Sequence, residues 1–97
     1  MIKHYILEDG KPKDVPLMEW AKWMETGNRR VGRTKIGNVE ISIVFLGLDH
    51  GFGGKELLFE TMIMGGKHDQ WMDRYGTMEQ AKKGHAEAVK KVKRGVK

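Results

Sequence analysis

Cysteine is absent from this 97-residue chain, so neither disulfides nor thiolate ligands enter its fold or its chemistry. Proline occurs only at Pro12 and Pro16, which leaves long stretches free to pair as strands or wind as helices. No apolar run approaches the roughly 18 residues of a membrane-spanning helix. Acidic residues are nearly missing from the end of the chain. Residues 1–81 carry 11 Lys and Arg against 12 Asp and Glu, whereas residues 82–97 carry 7 against Glu87 alone. The formal net charge of +5 therefore belongs to the tail, not to the body. That distribution argues against a domain-wide nucleic-acid surface and leaves the tail as a weak, non-specific contact for phosphates. The opening MIKHYILEDG has the alternation of a strand and not the basic-plus-apolar order of a leader, so the expectation is a cytoplasmic protein with no membrane contact.

What is present specifies an α+β fold in a single domain, 1–97, with a basic C-terminal helix end. The chain is near the length at which one core becomes self-sufficient. Ile2 to Leu7 alternates as a first strand and stops at Glu8-Asp9-Gly10-Lys11-Pro12. Asp14 then caps a helix over Pro16–Thr26, with Leu17, Trp20, Ala21 and Met24 on one face and Gly27-Asn28 as a left-handed stop. Gly37-Asn38 joins two strands, Arg30 to Ile36 and Val39 to Leu46, through a two-residue turn of type I′ or II′. Leu57 to Met64 alternates in the same way, so three strands form an antiparallel meander. Lys67 to Tyr75 reads as a short helix or an extended arm. Thr77 and Gln80 form a capping box for a second helix, Thr77–Lys93, whose apolar stripe runs from Met78 to Val96. Gly84 interrupts it, as a close helix–sheet contact would require. The expected architecture is an antiparallel three- or four-stranded sheet packed on one face by these two main helices.

Three groups can carry chemistry. The glycine-rich segment Gly47 to Gly54 presents Asp49, His50 and Phe52, but it leads into a strand and lacks GxxxxGK[ST], so it is neither a Walker nor a Rossmann loop. Its backbone N–H groups suit an anion instead. Arg33 and Lys35 share one strand face and suit the same ligand chemistry, or guard a sheet edge. Together Asp49, His50, Phe52, Arg33 and Lys35 are the candidate ligand contacts. A metal site would draw on His50, His68, Asp69 and Glu60, the set that a metal-dependent hydrolase needs to activate water. No HExxH or CxxC pattern supports it, so any convergence must come from the fold; His4 and His85 lie on apolar stripes as core residues. Seven methionines and three tryptophans are a large share of the apolar material, and they suit either a methionine-rich core or a homo-oligomer or other adaptable contact that buries some of them.

The blocks RRVGRTKIGNVEISIVFLGLDHGFGG, LLFETMIMGG and DRYGTMEQAKKGHAEAV, spanning Arg29 to Val89, occur in that order. In them the chain resembles small uncharacterised proteins of bacteriophages and prophages. The resemblance implies a phage-associated accessory protein of the host-cell cytoplasm. Such a protein acts by binding, as an inhibitor of a host protein or host defence or as a receptor for a small anionic ligand. It assigns no cofactor and no role to any residue.

Overall fold

The computed structural model describes residues 3–48 and 56–95. In chain order the elements are β1 (Tyr5–Glu8), β2 (Lys11–Asp14), α1 (Leu17–Thr26), β3 (Arg30–Ile36), β4 (Val39–Phe45), β5 (Phe59–Met64), β6 (Met72–Tyr75) and α2 (Met78–Gly95). β1 and β2 form a separate antiparallel hairpin, and β3-β4-β5-β6 form a four-stranded antiparallel sheet in sequence order. The α+β architecture expected from the sequence is the one observed. No described helix is long and apolar enough to cross a membrane.

Three local expectations on either side of α1 need correction. Residues 11–14 are not a turn leading to a capped helix. They return along β1, with Tyr5 opposite Asp14 and Leu7 opposite Pro12. The reversal is made by Asp9 and Gly10, both at positive φ, and Pro12 is tolerated because a two-stranded ribbon leaves every second N–H unpaired. Asp14 therefore belongs to a strand. Pro16 stands at the helix N-cap without a side-chain cap bond, its carbonyl accepting from Trp20 N–H at 3.0 Å. Nor is Gly27 left-handed: its φ is −73°, and it is small because the chain folds back on Trp23, whose ring a Cβ would meet at 2.5 Å.

Of the two forms the sequence allows after Gly66, residues 72–75 take the extended one and make the fourth strand of the sheet. Gly65 and Gly66 at φ +94° and +71° reverse the chain, and Gln70 at +70° completes the turn. Asp69 holds it by accepting from Gly65 N–H at 2.6 Å. Gly37, at φ +58°, provides the positive angle of a type II′ turn between β3 and β4.

One face of the large sheet is covered by α2. Val39, Ile41 and Ile63 pack beneath Ala88 and Val92, while Ile43, Phe45, Leu58 and Phe59 pack with Ala81 and Tyr5. Alanine at the contact positions lets the helix lie close to the strands. Gly84 carries that logic further, since the Tyr75 ring occupies the space a Cβ would need. The capping box forms as read: Gln80 N–H donates to Thr77 Oγ1 at 3.1 Å, and Thr77 N–H donates to Gln80 Oε1 at 3.3 Å. Helix α1 reaches the same core only at its edge. Trp23 meets Phe45 edge-on with ring centroids 5.7 Å apart, and Trp20 Nε1 donates to the Gly47 carbonyl at 3.1 Å. Leu17 and Met18, expected among its apolar surface, are 55% and 79% exposed.

Candidate functional site

Because side chains alternate across a strand, the sheet has a second face, which no described element covers. Cross-strand pairing arranges it in rows. Arg33, Ser42, Met62 and Met72 lie side by side across β3 to β6. Lys35, Glu40 and Met64 form the row on one side, and Arg30, Val44, Glu60 and Arg74 the row on the other. Both carboxylates are neutralised within the face. Arg33 Nε lies 2.6 Å from Glu40 Oε1, with Arg30 Nη1 at 3.9 Å, and Arg74 Nε donates to Glu60 Oε2 at 3.0 Å. Lys35 has no acidic partner among the described residues. The methionines make the apolar centre, with Met64 37% and Met72 46% exposed.

A groove lies on the helix side, between the edge strand β6 and α2. This groove holds about 730 Å³ and is walled by Trp71, Asp73 and Tyr75 on one flank and Gln80, Lys83 and Glu87 on the other. Burial, and then the nearby Asp73 carboxylate, raise the Tyr75 phenol above its ordinary pKa, so it stays neutral. Beyond Glu87 a smaller hollow of about 380 Å³ is lined by Lys67, His68, Lys91 and Arg94. Lys91 Nζ sits 5.5 Å from the centre of the Trp71 ring, a cation–π contact that joins the two spaces.

Of the residues singled out from sequence, Arg33 and Lys35 lie on the uncovered face as strand alternation implies. Asp49, His50 and Phe52 lie outside the described residues. The described members of the metal set do not gather. Glu60 is bound to Arg74 on the uncovered face, Asp69 is engaged by Gly65 N–H, and His68 stands among cations that oppose a metal ion. Among the described residues no three His, Cys, Asp or Glu side chains are placed to hold a metal. His4 packs against Trp20, the rings tilted by 56° with centroids 5.1 Å apart. The methionine row is not among the sequence candidates, and the cationic hollow joins Lys67 and His68 to Lys91 and Arg94 of the basic tail, which the sequence offers only as a separate phosphate contact. Met62 and Met72 are brought together only by register; the spacing of Lys83, Glu87, Lys91 and Arg94 does mark one helix flank in the sequence.

His85 joins the helix to the edge strand, its Nε2 lying 2.7 Å from Thr34 Oγ1. Burial lowers its pKa below the ordinary 6.5. The folded protein thus binds this proton less readily than the unfolded chain does. The stability tied to neutral His85 is present above pH 6.5 and is lost as pH falls through the folded value. Urea midpoints measured from pH 7.5 down to 5 should decline, and His85→Gln, which keeps a polar partner for Thr34, should flatten that decline. Compared with protein-family models, with curated proteins and with solved structures, the chain shows no match.

Proposed function

We propose that this chain is a phage-type accessory protein that binds and inhibits a host protein through the uncovered face of its sheet, without a catalytic step. One observation carries the reading: an apolar centre of Met62, Met64 and Met72 on a face whose acids are already paired. Docking there buries thioether side chains that adapt to a partner's contour, and it strands no unpaired carboxylate. Four cations (Arg30, Arg33, Lys35 and Arg74) against Glu40 and Glu60 leave the face positive. The partner that fits has an apolar centre and an acidic rim, which also speeds encounter.

The test is affinity capture from host extract with the wild type and with Met64→Lys/Met72→Lys. Both side chains are exposed, so unfolding free energy should change by no more than about 0.5 kcal/mol each. Affinity for the captured protein should fall at least about tenfold, since a desolvated centre carries most of an interface's energy. Capture unchanged in the double variant would refute the assignment. A wild-type dimer that the same substitutions convert to monomer, with nothing captured, would assign the face to a second copy of the chain.

A further inference from the structure

On the opposite side of the sheet, we infer a nucleotide site: the hollow of Lys67, His68, Lys91 and Arg94 holds the phosphate, and the adjoining groove between β6 and α2 holds the base. The hollow brings side chains from two separate elements, the β5–β6 turn and the last turns of α2, around one space of about 380 Å³. Among the described residues, Lys67, Lys91 and Arg94 have no acidic partner within ion-pair distance. Glu87, the one carboxylate on the wall, is drawn to Lys90 at 3.7 Å. Cations near a helix C-terminus are favoured by its dipole, and that accounts for Lys91 and Arg94. It does not account for Lys67 and His68, which the Asp69-pinned turn sets across from them. Lys67, Lys91 and Arg94 repel one another, and Glu87, the single carboxylate beside them, lies toward Lys90 and cannot balance all three; a doubly charged phosphate relieves that repulsion, with arginine able to grip two oxygens at once.

The groove defines the rest of the ligand. It opens from the hollow past Trp71 and continues along Tyr75 for a total of about 730 Å³, within the range of small-molecule sites. A bare phosphate uses none of this. An aromatic base does, since it packs against the Trp71 and Tyr75 edge, and the Asp73 carboxylate on the wall can accept from its exocyclic amine. The site lies on the helix side and the methionine rows on the other side, so either reading can fail while the other stands.

The experiment is a titration of the full chain with AMP, ATP, inorganic phosphate and an oligothymidylate, followed by calorimetry and by the Trp71 indole N–H resonance. ATP should shift that resonance and bind at least about tenfold tighter than inorganic phosphate, because it adds base contacts and further charge. Lys67→Glu/Arg94→Glu should weaken ATP at least about tenfold through lost phosphate contacts. Lys82→Glu/Lys93→Glu, the same charge change at exposed positions of α2 that do not line the hollow, should leave it within about twofold, since those charges make no direct phosphate contact and are screened by salt. The inference is overturned if millimolar ATP leaves the indole unmoved, or if the two double variants weaken binding equally. It is also overturned if the oligothymidylate binds more tightly than ATP, which would mark the strip as a single-strand surface.

Discussion

Phe45→Ala should lower the unfolding free energy by about 4 kcal/mol, the range for removing a fully buried aromatic ring and leaving a cavity. Phe45 is wholly inaccessible to solvent and stands where three parts of the molecule meet. Its ring lies 5.7 Å from Trp23 of α1 and 5.4 Å from Phe59 of β5, within the cluster that also contains Ala81 of α2. For a domain at the lower end of the usual range, about 5 kcal/mol, that loss leaves about 1 kcal/mol and a partly unfolded population at room temperature. Phe45→Leu keeps most of the volume and should cost about 1.5 kcal/mol. Urea titrations by tryptophan fluorescence and circular dichroism would measure both. Equal, small losses for the two variants would show that α1 and the sheet are not joined through this ring.

Gly65→Ala should cost about 3 kcal/mol, from a backbone angle that L residues avoid and a steric clash that no rotamer relieves. At φ +94° the added Cβ would lie 2.7 Å from the Asn38 carbonyl oxygen, a main-chain atom fixed by the neighbouring turn. Gly37→Ala is the matched control. Its φ is also positive, at +58°, but nothing lies within 4 Å of the added carbon, so the backbone preference alone should cost about 1 kcal/mol. A Gly65→Ala protein as stable as Gly37→Ala would mean the two hairpin ends do not abut.

The parts of this fold that are legible in the sequence are those decided locally. Gly37-Asn38 reports its own turn, the alternation Val39, Ile41, Ile43 and Phe45 reports a buried strand face, and Thr77 with Gln80 reports a helix start. Lys11–Asp14 carries no such signal. It is a charged, proline-containing strand held only by β1, and its residues favour a turn in isolation. Met72–Tyr75 is equally short, and it becomes a strand because β5 offers an unpaired edge beside it. The site follows the same division. Arg33 and Lys35 share a face by strand alternation alone, but the neighbours that give that face meaning, Glu40, Met62 and Met72, are set by register across four strands. Lys67 and His68 meet Lys91 and Arg94 only through the packing of α2 on the sheet.

Peroxide footprinting of the methionines, read by peptide mass spectrometry in the free protein and in complex with its captured host partner, tests the central claim most directly. Met64 and Met72 should oxidise readily in the free protein and be protected in the complex. Met18, 79% exposed on α1 and away from the sheet, should oxidise in both. Protection of Met18 with Met64 and Met72 oxidised alike in both states would contradict the assignment of the uncovered sheet face as the binding surface.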